Sequence, residues 1–350
     1  MHVTEPRHQR GRAARGFAFA AAAAMLVAAC SSSSPTPTPV PPTAAPTTAP
    51  ESAAPTTAPA PTFPMTVDAG SGSVTIEAAP QRIYAWGFQP VDELAVLGVE
   101  PVGYSSRGGL APYLGVSWAN AKELGEPPSL EEVVALNPDL IISDNSNDNT
   151  ALEGLGVPIL KIRANSVKEA FDQLGVIGEI TGKSDVAKTF TDAYETELAD
   201  TQAKIGAQPS ISTAIVYPGV EPGILGMWLD NSFIGTLIVS LGPDYALKQS
   251  ELSATDLEGT NGDRASSLGL VQLGLEKLVA VNPDTLFVLG TQDFIDSLGA
   301  NPAWASINAV KNGRVYLFDR NLWSRDRGPM AAKLVIEQAR HALYPDIFPN

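Results

Sequence analysis

The chain has 350 residues, 44% of them hydrophobic and 17% charged, which is the balance of a globular protein with one large or two ordinary domains. Its formal charge of -15 weighs against nucleic-acid binding, which needs a basic surface. With one cysteine, Cys30, and three histidines, the composition almost excludes a zinc site, an iron–sulfur cluster, a disulfide scaffold and a Cys–His enzyme.

The N-terminus has the pattern of a secretion signal followed by an anchor. Four arginines precede an apolar run at residues 17–29, and this run is too short to span a bilayer. The run ends in Leu-Val-Ala-Ala-Cys, which resembles a bacterial lipobox, so we expect a signal peptide over 1–29 and lipidation of Cys30. The alternative is an ordinary signal peptide with an incidental cysteine. Residues 30–64 are rich in Pro, Thr and Ala and predict a disordered tether, glycosylated or not.

From residue 65 onward, short apolar runs alternate with amphipathic stretches. This alternation predicts an α/β fold with parallel sheets. The predicted strands are 82–86, 101–104, 139–143, 158–162, 213–217, 285–289 and 314–318. The predicted helices are 90–97, 129–136, 167–181, 232–241, 273–281 and 328–343.

An internal repeat predicts two similar lobes. Residues 129–142 (SLEEVVALNPDLII) and 274–287 (GLEKLVAVNPDTLF) are identical at seven of fourteen positions. In each copy a short helix ends at an asparagine, because the following proline forbids its continuation, and an apolar strand comes next. Either copy alone would be a common α/β turn, but two copies with a shared Leu-Glu start favour a duplicated architecture.

A long helix is predicted between the two copies. Residues 183–205 contain no glycine or proline, and apolar residues recur at a spacing of four along one face. The expected organisation is therefore an N-terminal lobe at 65–182, a connecting helix at 183–206 and a C-terminal lobe at 207–350. A single stiff connector would restrict bending between the lobes.

These segments resemble one known family, the iron-siderophore and cobalamin binding proteins of ABC importers, which are class III solute-binding proteins with a helical backbone. The resemblance is carried by Ala-Pro-Gln-Arg-Ile at 79–83, the stretch 91–103, both repeat copies, Gly-Val-Pro at 156–158 and Val-Lys-Asn-Gly-Arg-Val-Tyr at 310–316. It covers roughly residues 74–345 and implies two Rossmann-like lobes joined by one long backbone helix. It also implies a monomeric receptor, anchored outside the cytoplasm through lipid alone, that performs no catalysis and needs no cofactor.

Glu131 and Glu276 hold equivalent places in the two repeat copies. In the family a glutamate at each such site forms a salt bridge with arginines of the permease dimer, so the resemblance implies permease docking here. The alternative is that each acid only favours the N-terminal end of its helix.

The resemblance and the general rule for α/β proteins place the ligand between the lobes, at the carboxyl ends of the strands. The residues chosen as ligand-binding are Tyr84, Trp86, Arg107, Tyr217, Trp228, Trp323, Arg325 and Arg327. Weaker candidates are Ser105, Ser106, Asp144, Asn145, Arg264 and Gln292. Arginine forks suit the oxygens of an anionic ligand, and tryptophan rings can stack on flat surfaces. Alternatively, the aromatic residues are core and the arginines pair with Asp319 and Asp326.

The expected cargo is a ferric siderophore. Direct capture of bare iron or haem iron is disfavoured, because such sites use converging Tyr or carboxylate ligands, often with His, and His341 is the only histidine after Cys30. Cobalamin, haem and an oxyanion remain alternatives on the same fold. From other classes, a secreted hydrolase lacks a matched nucleophile and base, and a purely structural envelope protein is a further possibility. Hydroxamate, catecholate and carboxylate siderophores all offer oxygens to arginine, so the siderophore class stays open.

Overall fold

Each half of the protein is built around one β-sheet. The structure is a computed structural model, and it describes residues 60–69, 72–144, 149–221, 223–254, 256 and 267–349. The predicted signal peptide, Cys30 and nearly all of the predicted tether lie outside these residues. A short antiparallel hairpin, β1 (Met65–Asp68) and β2 (Ser73–Ile76), comes first in the chain.

The first sheet is parallel throughout its described strands, as predicted. Its spatial order is β5-β4-β3-β6-β7. The strands are β3 (Ile83–Trp86), β4 (Gly103–Ser105), β5 (Lys122–Glu123), β6 (Leu140–Asp144) and β7 (Ile159–Ile162). Every residue of β3 and β6 is buried, because a central parallel strand is covered on both faces. This is why β3 is an apolar run throughout and β6 begins with three apolar residues.

The second sheet is mixed: β8, β12 and β13 are parallel as predicted, but the pairings of β9 are antiparallel and correct the prediction of a parallel sheet there. Its main order is β11-β9-β8-β12-β13, and β10 also pairs with β8. Its strands are β8 (Ser212–Pro218), β9 (Ile224–Trp228), β10 (Asp244–Tyr245), β11 (Leu270–Gly274), β12 (Thr285–Leu289) and β13 (Val315–Phe318). β9 runs antiparallel to both β8 and β11. Only a few residues separate β8 from β9, so they form a hairpin, and a connection this short cannot make a parallel crossover.

The helices that cover the sheets include all those predicted from periodicity. They are α1 (Phe88–Leu97), α2 (Leu130–Ala135), α3 (Thr150–Glu153), α4 (Val167–Ile180), α5 (Ser184–Ile205), α6 (Phe233–Ser240), α7 (Leu275–Val281), α8 (Gln292–Gly299), α9 (Asn308–Lys311) and α10 (Pro329–Leu343). The short helices α3, α8 and α9 were not predicted. Within the described part of the chain, no helix is both long enough and apolar enough to cross a membrane.

The two repeat copies adopt the same backbone. Asn137 follows α2 with φ 46°, Asn282 follows α7 with φ 45°, and these are the non-glycine residues with positive φ among the described residues. Asparagine tolerates this left-handed conformation better than most residues, which explains its place after each helix. Two residues after Asn137, the Asp139 carboxylate accepts from the backbone N–H groups of Gln81 (2.7 Å) and Arg82 (2.8 Å), which immediately precede β3.

The lobes are joined by more than the predicted connecting helix. The C-terminal helix α10 packs against α1 and α4 of the first half as well as α6 of the second. It is also tied to α5, since Lys333 Nζ lies 2.8 Å from a Glu197 carboxylate oxygen and Arg340 Nη1 lies 3.0 Å from the other. All described residues fall within one compact unit. Two helices therefore hold the halves together.

Candidate functional site

A cavity of about 310 Å³ lies where the two lobes meet. The first lobe supplies residues that follow its strands, and the second lobe supplies the segment between β13 and α10. The lining residues are Gly87, Phe88, Arg107, Glu126, Asp144, Arg163, Ser324, Arg325 and Arg327. This is the position that the strand-end rule selects in α/β proteins.

Gly87 shapes the floor of the cavity where β3 turns into α1. Its φ is 123°, and a Cβ added there would lie 2.7 Å from the Cβ of Asp144 on the neighbouring strand β6. Only glycine combines this backbone conformation with such a close approach. The turn thereby lets the Asp144 carboxylate stand at the cavity wall.

Four arginines and two carboxylates line the cavity, although the protein as a whole is strongly acidic. Asp144 pairs with Arg163 at 3.2 Å between Oδ1 and Nη1. Arg327 is buried, and its Nη1 donates to the carbonyl oxygen of Ala164 at 2.9 Å. Burial, assisted by the positive charge of Arg163, lowers the pKa of Arg327 to about 10. Arg327 therefore remains charged at neutral pH and joins the two lobes.

The other two arginines, Arg107 and Arg325, form no ion pair with any described residue. Burial lowers the pKa of Arg325, and the positive charges of Arg320 and Arg107 lower it further. Arg107 belongs to the first lobe and Arg325 to the second. The cavity thus presents two uncompensated cations from opposite sides, which is the electrostatic requirement for binding an anion.

Two buried acids, Asp92 and Asp326, form a cluster next to the cavity and bond across the two lobes. The Tyr113 hydroxyl of the first lobe donates to Asp326 at 2.6 Å, and the backbone N–H of Gly328 donates to the other oxygen at 2.8 Å. Asp92 on α1 accepts from the backbone N–H groups of Met330 (3.0 Å) and Ala331 (2.9 Å) and so caps α10 from the opposite lobe.

Burial raises the pKa of both acids in this cluster. For Asp326 the value rises to about 6, with the hydrogen bonds from Tyr113 and Gly328 opposing the shift and the nearby charge of Asp144 assisting it. For Asp92 the rise comes from burial and then from the charge of Asp326. The lobe junction is therefore sensitive to protonation in mildly acidic conditions.

Of the residues predicted to bind ligand, the structure brings Arg107, Arg325 and Arg327 together in the cavity. The weaker candidate Asp144 joins them. Trp86 is not a lining residue, but its indole Nε1 donates to Oε2 of the lining residue Glu126 at 3.1 Å.

The prediction that Tyr84 and Trp323 contact the ligand is corrected here, because both are 0% exposed core residues. The Tyr84 hydroxyl forms a 2.7 Å hydrogen bond with Ser105 Oγ inside the first lobe. Trp323 stacks on Phe318 with ring centroids 4.2 Å apart, and its Nε1 donates to Gln338 Oε1 at 2.7 Å. Neither side chain has a surface to offer to a ligand.

Tyr217 and Trp228 also lie apart from the cavity lining. They contact each other in the second lobe with ring centroids 5.9 Å apart, and both are largely buried. The guanidinium of Arg320 lies 4.5 Å above the Tyr217 ring. Ser105 and Ser106 are buried, Gln292 donates to Asp296 on the same helix, and Asn145 and Arg264 lie outside the described residues.

Sequence reasoning missed several lining residues, notably Glu126 and Arg163. Arg163 directly follows β7, so the strand-end rule would have selected it if applied to that strand. Glu126 comes shortly after β5, a two-residue strand that has no apolar run to reveal it. Ser324 belongs to a π-helical turn at Asn321–Arg325. That turn places Trp323 inward and its neighbours at the cavity.

Glu131 and Glu276 are exposed in the first turns of α2 and α7. Neither forms an ion pair with a described residue. Glu276 also borders a second hollow of about 850 Å³ on the second lobe, whose walls include Leu225, Phe294 and Leu298. In the described part of the chain, no group of three or more His, Cys, Asp or Glu side chains is placed to hold a metal ion.

Comparison with known proteins agrees with this architecture. A Bacillus subtilis protein named putative ABC transporter substrate-binding lipoprotein YhfQ is 25% identical, with 74% of this chain and 82% of that protein aligned. The Escherichia coli Fe(3+) dicitrate-binding periplasmic protein FecB is 26% identical, with 73% and 82% aligned.

A solved structure has the same fold. It is the triscatecholate siderophore binding protein FeuA from Bacillus subtilis in complex with ferri-bacillibactin. It superposes with a TM-score of 0.64 at 19% identity over 80% of this chain and 98% of that one. A family model described as periplasmic binding protein matches residues 123–322, which is more than half of the chain. The protein therefore belongs to the periplasmic binding protein family.

Proposed function

We propose that this protein is the lipid-anchored, extracytoplasmic substrate-binding component of an ABC importer, and that it captures a ferric siderophore in the cavity between its lobes. The observation that carries the proposal is the pair of uncompensated arginines, Arg107 and Arg325, facing one cavity from two lobes. An anionic iron chelate can form charge pairs with both arginines at once. Because the metal arrives inside its own organic ligand, the protein needs no metal-ligating side chains.

The names of the relatives support the iron cargo but leave its chemical class open. One relative is named for ferric dicitrate, and one solved structure holds a triscatecholate complex. The first is similar to this chain in sequence, and the second has the same fold.

In this proposal the function is differential binding without a catalytic step. The ligand bridges the lobes, and the permease lowers the affinity by separating them. The tie of α10 to the first lobe through Asp92, together with the rigid helix α5, limits how far the lobes move. We therefore expect small-angle scattering to show only a slight compaction on ligand binding, and a large compaction would contradict this feature.

Glu131 and Glu276 are proposed to meet arginines of the permease dimer. Both are exposed acids without an intramolecular partner among the described residues, and the repeat places them equivalently on the two lobes. Cys30 is proposed to carry the lipid that holds a monomeric receptor at the membrane surface.

The direct test is titration of the purified protein while its tryptophan emission is recorded. Trp86 is the expected reporter, since its indole bonds to Glu126 at the cavity lining. The panel contains ferric and metal-free siderophores of each class, haem, cobalamin and molybdate. We expect saturable quenching by a ferric siderophore, and a Trp86→Phe variant should lose most of the quenching while calorimetry shows retained affinity.

Other results would replace the proposal. Quenching by haem or cobalamin alone would keep the transport role and change the cargo. No binding by a protein shown to be folded would contradict the siderophore assignment.

A further inference from the structure

The four arginines of the cavity lining differ in their partners. Arg163 is paired with Asp144, and Arg327 is buried with a bond to the Ala164 carbonyl group. The second carboxylate, Glu126, accepts from the Trp86 indole. Arg107 and Arg325 are left without a partner among the described residues. The lining therefore carries four positive and two negative charges, a net excess of two positive charges, and one cation without an ion-pair partner stands on each lobe.

Among the described residues, the lining offers little aromatic surface. Phe88 is the one aromatic residue among the nine lining residues. The tryptophan expected to stack on ligand, Trp323, packs instead on Phe318 in the core. At about 310 Å³ the cavity lies near the lower end of the roughly 300–1,000 Å³ range of small-molecule pockets. A compact ligand without flat ring systems fits these walls best.

We infer that the cavity is specific for the carboxylate class, a compact ferric polycarboxylate chelate whose outward carboxylate oxygens pair with Arg107 on one lobe and Arg325 on the other. This inference rests on the proposed function and selects one of the three siderophore classes. The carboxylate group matches the planar arginine fork and can accept two hydrogen bonds from it.

The other two classes satisfy this site less well. Three hydroxamates neutralise ferric iron and give a complex with no net charge, so they leave both arginines without a counter-charge. Three catecholates give an anionic complex, but its charge lies on oxygens already bound to iron and its outer surface consists of aromatic rings. Such rings favour tyrosine or tryptophan walls, and no tyrosine or tryptophan is among the described lining residues.

The test compares affinities across probes and variants. The probes are ferric citrate and the citrate-based chelate ferric rhizoferrin for carboxylates, the uncharged cyclic complex ferrioxamine E for hydroxamates, and ferric enterobactin for catecholates. The variants are Arg107→Gln, Arg325→Gln and the double variant. The control is Lys311→Gln, which removes an exposed positive charge from the same lobe as Arg325 and lies outside the cavity lining.

We expect a carboxylate probe to bind most tightly to the unmodified protein. Each arginine substitution should weaken that binding roughly 10- to 100-fold, the size of a lost charge-assisted hydrogen bond. Lys311→Gln should leave it unchanged within about twofold. Binding should also weaken as salt is raised, since a charge pair is screened.

The possible failures separate the inference from the proposed function. Tighter binding of ferrioxamine E or ferric enterobactin overturns the carboxylate assignment and leaves siderophore binding intact. Equal loss of affinity in Lys311→Gln and Arg325→Gln overturns the assigned contacts. Failure of all four ferric probes to bind a folded protein overturns the inference and the proposed function together.

Discussion

The repeated motif and the lobe junction are built in opposite ways. The helix–Asn-Pro-Asp–strand motif occurs once in each lobe, with the same backbone at Asn137 and Asn282. The junction is assembled from segments that occur once, with Asp92 capping a helix more than two hundred residues later and Tyr113 bonded to Asp326.

This difference assigns separate tasks to the two regions. The repeat closes helices and starts strands, so it supports the fold of each lobe equally. The junction holds buried acids and the arginine cavity, whereas Glu131 and Glu276 of the repeat are exposed to solvent. Changes at the junction should therefore have larger and more pH-dependent effects than changes in the repeat.

The largest effect is expected at Gly328, which begins α10. A Cβ at this position would lie 2.2 Å from the Cγ of Asp92, whose carboxylate caps the same helix. Because both groups are buried, Gly328→Ala should lower the free energy of unfolding by about 3 kcal/mol or more. Urea denaturation measures the change.

A matched control for that variant is Gly299→Ala at the end of α8, where an added Cβ meets no atom within 4 Å. It should be neutral or stabilising by up to about 1 kcal/mol. Equal destabilisation by the two changes would contradict the importance of the junction.

The junction should also impose a pH dependence. The folded protein raises the pKa of Asp326 to about 6, so it binds that proton more tightly than the unfolded chain, whose value is near 3.8. This acid therefore lowers stability as pH rises from about 4 to about 6 and adds no further change above. Asp326→Asn should remove that decline, on the order of 2 kcal/mol.

Urea denaturation of both proteins between pH 4 and pH 7.5 provides the check. The difference in stability should grow in favour of Asp326→Asn across this window. Parallel curves for the two proteins would remove Asp326 from the account. Asp92 has a raised pKa of the same origin and should give the residual slope.

Within the repeat, the two asparagines should differ moderately. Asn137→Ala places a Cβ-bearing residue less suited to the left-handed region and should cost about 1 kcal/mol. Asn282→Ala should cost about 2 kcal/mol, because Asn282 Oδ1 also accepts from the backbone N–H of Asn308 at 2.8 Å.

Glycine separates the two contributions. Asn137→Gly should be nearly neutral, whereas Asn282→Gly should retain the loss of the Asn308 hydrogen bond. Thermal or urea unfolding of the four variants tests this, and an equal loss in both glycine variants would show that the copies differ less than their contacts indicate.

The smallest effect on stability is expected at Glu131 and Glu276. Both are exposed, so Glu131→Gln and Glu276→Gln should change the free energy of unfolding by less than about 0.5 kcal/mol. If they dock to the permease, each should reduce ligand-stimulated ATP hydrolysis by the reconstituted importer. Glu195→Gln on α5 is the control, and equal activity in all three variants would contradict the docking assignment.

The sequence predicted the repeat well because its physics is local. The proline stop, the asparagine turn and the apolar strand each act within a few residues. The strands β9 and β11 were not predicted from the sequence. β9 is the second strand of a tight hairpin with β8, and β11 has no strong apolar alternation.

The junction was predicted less completely because its contacts are distant in sequence. The strand-end rule found Arg107, Arg325 and Arg327, yet residue type alone could not show that Trp323 turns into the core beside Phe318. The capping of α10 by Asp92 joins two lobes and leaves no local signal. The sequence therefore predicted at which edge of the sheet the site lies, but not which side chains face the cavity.

The most direct test of the account is to locate bound iron by anomalous X-ray diffraction in crystals grown with the ferric chelate that binds most tightly. We expect one iron peak in the cavity between Arg107 and Arg325, with ligand oxygens bonded to both guanidinium groups. An iron peak in the hollow beside Glu276, or iron bound directly by protein side chains, would contradict it.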